Sequence, residues 1–233
     1  MKRKHLPLVL GCAFLFTVSF GLTACKKKPA PATSSSGAVM NQTARRYAAE
    51  FGTVTYEISG SVASGEETMR FADYGAIEAK ETRLTISTNG TEQAFRQLTI
   101  LRDGQIYSID LMAGRGTKMP DVMSSRLIAQ YGNDKFGSLG SEIMRAMGGR
   151  EVGPGNVLNQ DCVLWEVPSI GSTTCLAQGV PLSAEAKLGD AGITYTATSV
   201  DFDTEVTAEA FAVPAGITIT ETPAPTDLSL PSS

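Results

Sequence analysis

The sequence predicts an α+β protein built on one large antiparallel β-sheet with a two-helix insertion. Two observations predict this class. Short runs of alternating apolar and polar residues are separated by turn-forming pairs such as Asn89-Gly90 and Asp103-Gly104. Two segments with helical periodicity interrupt these runs after Pro120. The chain has 233 residues, enough for one domain that buries about 70% of its unfolded surface.

The first strand is predicted where Val54, Tyr56 and Ile58 alternate with polar residues, which indicates one wet face. A short helix is predicted just before it, over residues 43–51, with Asn41 or Thr43 as its cap. Further strands are expected around residues 68–74, 77–87, 95–102 and 105–111. Because the turns between them are short, the first half should be an antiparallel meander.

The predicted insertion consists of PDVMSSRLIAQYG, from Pro120, and FGSLGSEIMRAMGG, from Phe136. Each segment ends in glycine, the residue that commonly stops a helix. Strands then resume around residues 162–167, 173–178, 182–188 and 193–202. The second half should therefore complete the same sheet.

Residues 1–25 have the layout of a secretory signal: a basic start, an apolar stretch over residues 6–22 and then small residues. A retained transmembrane helix is one alternative, since this stretch would span about 25 Å. A plain secreted protein, in which Cys25 is coincidental, is the other. The end of the segment, Leu22-Thr23-Ala24-Cys25, resembles the lipobox of bacterial lipoproteins. That resemblance implies cleavage between Ala24 and Cys25, and a diacylglycerol thioether on Cys25 that anchors the protein to membrane lipid.

The lipobox divides the chain into a signal peptide (1–24), a lipidated flexible tether (25–40), a folded domain (41–222) and a disordered tail (223–233). The tether and tail are predicted from their content of Pro, Ala, Ser and Lys, which gives no apolar periodicity. Lys26 stands where inner-membrane lipoproteins tend to have Asp. The resemblance therefore implies a lipid-anchored protein of the cell envelope, on the outer membrane and facing the periplasm.

Charge and residue content argue against two function classes. Without residues 1–24 the chain carries 17 basic and 24 acidic side chains, so nucleic acid is not an expected partner. The only histidine is His5, in the signal, which removes imidazole-based catalysis and zinc binding. We expect no enzyme, cofactor or metal. Asp201, Asp203 and Glu205 could form a calcium or acid–base site on one strand face, but a solvated strand end is the favoured interpretation.

Two cysteines remain for the folded domain, Cys162 and Cys175, because Cys12 lies in the signal and Cys25 in the lipobox. In an exported protein a disulfide is the simplest interpretation, with a metal or redox pair as alternatives. A hairpin turning at Pro168-Ser169 would place the two cysteines directly opposite each other. Closing so short a loop would stabilise the fold by about 3 kcal/mol.

Four short segments carry a family resemblance over about residues 50–220: ETMRFADYG from Glu67, DGQIYSID from Asp103, CVLWEV from Cys162 and FAVPAGI from Phe211. They resemble those of uncharacterised lipoproteins related to the LolA/LolB fold. The resemblance implies an unclosed, strongly curved sheet, a half-barrel, with the helices covering its concave face. In LolA and LolB that concavity holds lipoprotein acyl chains.

The expected function is therefore to bind an acyl chain or another apolar ligand in a cleft between sheet and helices. The helices are rich in methionine, a flexible side chain that suits variable apolar shapes. The candidate cleft residues are Met123, Leu127, Ile143 and Met147 on the helices, and Trp165, Phe71, Tyr56 and Leu101 on the opposite wall. The alternative is an envelope protein–protein interaction or structural module, its partner unknown, in which these residues fill an ordinary core.

Overall fold

The structure is a computed structural model that describes residues 44–88, 90–131, 139–188 and 191–223. The predicted signal peptide, the lipidation site at Cys25, the tether and all but the first residue of the tail lie outside the described residues. Within the described residues a single sheet of twelve strands makes up most of the fold.

The elements follow in chain order, and the two helices lie together between the sixth and seventh strands. They are β1 (Gly52–Gly60), β2 (Ala63–Ala72), β3 (Ile77–Thr88), β4 (Thr91–Arg102), β5 (Gln105–Asp110), β6 (Arg115–Pro120), α1 (Val122–Tyr131), α2 (Leu139–Ala146), β7 (Arg150–Val157), β8 (Gln160–Val167), β9 (Ser172–Ala177), β10 (Val180–Leu188), β11 (Ala191–Asp201) and β12 (Thr218–Glu221).

The strand order is β12-β6-β5-β4-β3-β2-β1-β11-β10-β9-β8-β7, and every neighbouring pair is antiparallel except β12 with β6. The order is open, with β12 and β7 as its two edges among the described strands. The predicted large, unclosed and mostly antiparallel sheet is therefore confirmed.

Among the described turns, three hairpins close through two residues that both have positive φ. This geometry matches the twist of the flanking strands, as in type I′ turns. The turn residues are Asp103 and Gly104, Leu158 and Asn159, and Gln178 and Gly179. The Asp-Gly signal thus predicted a turn correctly, whereas the other two pairs are not common turn sequences.

The predicted helix over residues 43–51 is wrong. Residues 44–51 instead have no regular secondary structure and include several bends. Their backbone groups bond to distant turns: the N–H groups of Arg46 and Tyr47 donate to the carbonyl of Tyr74, and that of Ala48 donates to the carbonyl of Gln178. These long-range hydrogen bonds replace the local ones that a helix would have made.

Three strands were missed in the sequence: β6, β7 and β12. The β7 sequence REVGPGNV combines two glycines with a proline, which are disfavoured in central strands but tolerated at an edge. The four-residue strand β12 pairs in parallel with β6, about a hundred residues earlier in the chain. The pairing of β12 therefore leaves no local signal, and in β7 the glycines and the proline hide a local hairpin with β8.

The helices lie inside the two segments that periodicity predicts. The carboxylate of Asp121 accepts a hydrogen bond from the backbone N–H of Ser124 and so caps the start of α1. In α1, Ile128 packs against Ala44 and Leu139. The predicted two-helix cover of a concave face is not confirmed as such. Neither described helix has the length and apolar character needed to cross a bilayer.

The strands β1–β6 have two different faces, both with buried side chains. The face that carries Tyr56 and Phe71 is called here the Tyr56 face. The opposite face carries Ala79, Ile100 and Ile109 and is called the Ile100 face. Apolar residues between Val206 and Ile217, including Phe211, pack on the Ile100 face before β12 adds to β6. The chain after β11 therefore supplies the cover of this face.

The predicted disulfide between Cys162 and Cys175 is confirmed, but its predicted register is wrong. The turn between β8 and β9 contains four residues, 168–171, so Leu164 lies opposite Cys175. Cys162 is two residues further along β8 and is therefore a diagonal neighbour on the same face, with its Cα 5.5 Å from that of Cys175. The left-handed Gly171, with φ 57°, closes the longer turn.

Gly155 makes room for this disulfide, since a Cβ there would lie 2.8 Å from Sγ of Cys175. We expect Gly155→Ala to lower the free energy of unfolding by about 1–3 kcal/mol through overpacking. Urea unfolding measures this.

The matched control is Gly192→Ala, also on a strand. Its added Cβ has its nearest neighbour at 3.9 Å, so the change should be neutral. In a Cys162→Ala/Cys175→Ala background the Gly155→Ala penalty should shrink; equal penalties in both backgrounds would contradict the assigned packing.

Candidate functional site

The candidate site is built on the Tyr56 face, and its first component is the crossing segment, residues 44–51. Tyr47 of this segment packs edge-on against Phe71, with ring centroids 4.6 Å apart. Tyr47 and Ala49 belong to the same buried cluster as Tyr56 and Phe71. The chain itself therefore fills the space over two residues that the sequence predicts as cleft wall.

A buried charged network holds the crossing segment to the sheet. The Glu78 carboxylate lies 3.1 Å from Nζ of Lys80 and 3.6 Å from the guanidinium of Arg46, and it accepts a hydrogen bond from the hydroxyl of Tyr47. Arg46 also lies 3.9 Å from the carboxylate of Asp121, which precedes α1. Glu78 and Asp121 are both buried, so the network joins the segment, β3 and the start of α1.

The ionisation of these groups is set by the balance of burial and pairing. Burial opposes the charged form of Glu78, but Lys80 and Arg46 lower its pKa below the ordinary value of 4.5. Burial likewise opposes the charge on Lys80 and on Arg46, yet the carboxylate of Glu78 raises the pKa of both. Burial, followed by the charge of Glu78, raises the pKa of Tyr47 well above 10.0, so its hydroxyl stays protonated.

The second component is a polar patch beside this network, on β2–β6. Strand register brings its members into two neighbouring rows across the Tyr56 face. The patch consists of Glu67, Lys80, Thr82, Gln97, Thr99, Ser108 and Thr117. Gln97 is buried and the other six are half-buried. Polar groups thus occupy positions that the core of an ordinary packed sheet would give to apolar side chains.

Internal hydrogen bonds order the polar patch. The Thr82 hydroxyl donates to Glu67 at 2.8 Å. The amide of Gln97 donates to Oγ of Ser108 at 2.8 Å and, more weakly, to Oγ1 of Thr99 at 3.5 Å. These bonds fix side-chain positions without removing the donor capacity of the Ser108 and Thr99 hydroxyls.

The third component is an apolar cluster at the other end of the same face. Its buried members are Ile58, Leu84 and Ile193, and the partly buried members are Ala63, Ile86, Phe95, Ala186 and Tyr195. All of them come from strands of the sheet. The polar patch gives way to the apolar cluster between successive side chains of this face. On β3 the change lies between Thr82 and Leu84, and on β4 it lies between Gln97 and Phe95. The Tyr56 face is therefore divided sharply into polar and apolar parts.

The structure does not bring the predicted cleft residues into one site. Tyr56 and Phe71 are buried beneath the crossing segment, and Leu101 is buried on the same face, opposite Glu78. Trp165 belongs to a separate buried cluster with Met144, and Met147 packs against that cluster.

Three cleft residues remain, all on the helices. Ile143 packs with Ala44 and Leu139. The side chains of Met123 and Leu127 lie outside the described residues. Whether any of the eight residues contacts a ligand stays a prediction.

Sequence reasoning missed the charged network and the polar patch, although β3 carried a signal. Its alternate positions read Glu78, Lys80 and Thr82 and then change to Leu84 and Ile86. One face of a single strand thus switches from polar to apolar. Such a switch indicates that the face meets two different environments.

The acidic stretch near the end of β11 does not form the predicted shared strand face. Asp201 ends the strand, and its carboxylate accepts hydrogen bonds from the backbone N–H groups of Asp203 and Thr204. This is a local turn of the Asx type. In the described part of the chain no three acidic, histidine or cysteine side chains are grouped to hold a metal ion.

Comparison with known proteins gives only distant similarities. No protein-family model matches the chain, and no curated protein does. Among solved structures, an uncharacterized conserved protein from Thermus thermophilus shows a TM-score of 0.46 and 8% identity over 75% of this chain and 91% of its own. The structure of MucB shows a TM-score of 0.43 and 14% identity over 75% of this chain, which spans 61% of MucB.

A third similar structure is LprF from Mycobacterium bovis, with a TM-score of 0.34 and 9% identity over 67% of this chain and 88% of LprF. With TM-scores below 0.5, these similarities do not assign the chain to a family. The candidate site therefore has to be interpreted from its own geometry.

The charged network predicts an acid-sensitive fold. The pKa of Glu78 is lowered in the folded state, so its stabilisation is complete above 4.5 and is lost as the pH falls through the folded-state pKa. Glu78→Gln should lower the free energy of unfolding at neutral pH by about 1–3 kcal/mol, because Lys80 loses its nearest carboxylate and Arg46 keeps only Asp121. It should also flatten the loss of stability in acid, as urea unfolding from neutral to acidic pH would show.

The matched control is Glu81→Gln, three residues along β3. Glu81 pairs with Arg83 and Arg96 in a solvent-exposed arrangement, so this change should cost about 1 kcal/mol or less. If wild type and Glu78→Gln lost stability equally as the pH falls, Glu78 would not stabilise the fold in this way.

Proposed function

We propose that the protein is a lipid-anchored lipoprotein of the cell envelope, related to LolA and LolB, which binds the acyl chain of an amphiphile on its Tyr56 face. The observation that carries this proposal is the sharp division of that face into a polar patch and an apolar cluster. A surface divided in this way suits a ligand that is itself divided into polar and apolar parts. The resemblance to LolA/LolB-related lipoproteins supports the same ligand class.

The apolar cluster offers the acyl chain its contact surface. Phe95, Ile86 and Tyr195 remain partly exposed around the buried Ile58 and Leu84. Covering such surface removes apolar area from water, and each buried methylene of a ligand contributes about 0.8 kcal/mol. Several methylenes over these side chains would give useful affinity without any polar contact.

The polar patch sets a limit on where the acyl chain lies. An alkyl chain over Lys80, Thr99 and Ser108 would remove their polar atoms from water and offer no hydrogen bonds in return. The proposed position is therefore the part of the face where β1–β4, β10 and β11 carry the cluster. This differs from the cleft predicted in the sequence, in which Tyr56 and Phe71 formed one wall.

The competing function is an envelope interaction module with a filled core, and one observation favours it. Tyr47 of the crossing segment fills the space above Phe71, which the sequence assigned to a ligand. If the rest of the Tyr56 face is filled equally well, the protein has no small-molecule site and acts through its outer surface. The two functions differ in whether the domain takes up an amphiphile.

Uptake can be measured with the chain from Lys26 to Ser233, which contains the whole compact unit Ser36–Ser233. We expect native mass spectrometry after purification from cells to show bound lipid, and the delipidated protein to take up a fluorescent fatty acid. Phe95→Ala should weaken uptake by about tenfold because it removes apolar contact. The control Leu98→Ala removes a partly buried side chain of the same strand from the Ile100 face and should leave uptake unchanged. Protein that is free of lipid and takes up no fatty acid would favour the filled-core function.

The proposed anchor has its own test. Cys25→Ala in the full chain should move the protein from the membrane fraction to the soluble fraction and remove the lipid mass, because two or three acyl chains hold a protein on a membrane durably. The control Cys12→Ala changes a cysteine within the proposed signal and should leave anchoring intact. Membrane retention of Cys25→Ala would favour an uncleaved hydrophobic helix instead.

A further inference from the structure

We infer that the polar patch selects the headgroup of the bound amphiphile, and that this headgroup is neutral and carries hydroxyl groups. The inference rests on the proposed function, since it assigns the acyl chain to the apolar cluster. The two surfaces are continuous: Thr82 and Leu84 are two residues apart on β3, so their side chains are about 7 Å apart on one face. A headgroup attached to a chain on the cluster therefore reaches the patch directly.

The charges around the patch argue against an ionic headgroup. Its cations, Lys80 and Arg46, already face the carboxylates of Glu78 and Asp121, and Glu67 adds a third carboxylate beside Lys80. The register also places Asp110 and Arg115 at the end of the Gln97 row. Three cations against four carboxylates leave no net positive charge for a carboxylate or phosphate headgroup. An anionic headgroup would have to displace Glu78 from Lys80 at a distance of 3.1 Å.

A cationic headgroup is also poorly matched. Quaternary ammonium groups are bound by clusters of aromatic faces, and the seven residues of the patch include no aromatic side chain. Glu67 is the one carboxylate within the patch itself, and it accepts a hydrogen bond from Thr82. Because Glu67 already accepts from a neutral hydroxyl and lies beside Lys80, it does not require a cationic headgroup as its partner.

The remaining groups match hydroxyls in both hydrogen-bonding roles. Ser108 and Thr99 accept from the Gln97 amide, so each hydroxyl keeps its own proton to donate to a ligand oxygen. Glu67 provides carboxylate oxygens, which accept hydrogen bonds. A ligand hydroxyl, which both donates and accepts, can bond to either kind of group. The half-buried position of Thr99 and Ser108 strengthens such bonds by limiting competition from water.

The test compares three amphiphiles that share one acyl or alkyl length: monomyristoylglycerol, myristate and tetradecyltrimethylammonium. Each is titrated, below its critical micelle concentration, into the delipidated chain from Lys26 to Ser233, which holds the compact unit entire. Monomyristoylglycerol should bind about tenfold more tightly than either ion. Thr99→Val, which keeps the side-chain shape but loses the hydroxyl, should weaken monomyristoylglycerol binding by about threefold to tenfold, a larger loss than for myristate.

The matched control is Thr85→Val, on β3 but directed to the Ile100 face, which should change neither affinity. Unfolding midpoints of both variants confirm that they are folded. Equal affinities for the three amphiphiles would overturn the headgroup inference and leave the proposed function standing. Tighter binding of myristate or of the ammonium compound would overturn it too, as would equal effects of Thr99→Val and Thr85→Val. Binding of none of the three would overturn the proposed function itself.

Discussion

The attachment of the crossing segment to the sheet is the interaction on which the rest of the structure depends. In eight residues this segment joins two turns that are far apart in sequence, at Tyr74 and at Gln178. The turn at Asp73, Tyr74 and Gly75 is left-handed at three consecutive residues, with φ of 47°, 57° and 80°. Such a conformation costs roughly 1–3 kcal/mol for each non-glycine residue, so it persists only where other contacts impose it.

Those contacts come from the crossing segment. The Tyr74 carbonyl accepts two backbone hydrogen bonds, its N–H donates to the carbonyl of Glu50, and Arg45 pairs with Asp73 at 2.6 Å. A side chain at Gly75 would lie 2.5 Å from the ring of Tyr47, so only glycine lets the ring reach Phe71. The turn and the segment therefore impose each other's conformation. The crossing segment therefore covers one end of the Tyr56 face, and the polar patch and the apolar cluster occupy the rest of it.

The sequence predicted the sheet better than it predicted the site. Strands that pair with a neighbour in the chain could be predicted, because their signals are local. Examples are the alternation at Val54 and Ile58 and the turn at Asp103-Gly104. Strand β12 and the crossing segment depend on partners more than twenty-five residues away in the chain. The crossing segment was therefore mispredicted as a helix: it contains good helix formers, but its backbone N–H groups bond to the carbonyl of Tyr74 instead. The disulfide pairing was predictable from the cysteine count, whereas its register depended on the four-residue turn, which composition does not specify.

The site was harder to predict because it depends on which polar residues share a face, and that requires the register of five strands. Once the register is known, a physical constraint follows from the charged network. Burying Glu78 against Lys80 and Arg46 adds little stability over an apolar core, but it forbids arrangements that leave any of the three unpaired. The network therefore fixes the position of the crossing segment on the Tyr56 face. The polar patch begins at Lys80, so the ion pair that holds the cover also neutralises the cation at the edge of the patch. This pairing couples the fold to the proposed selection of the headgroup.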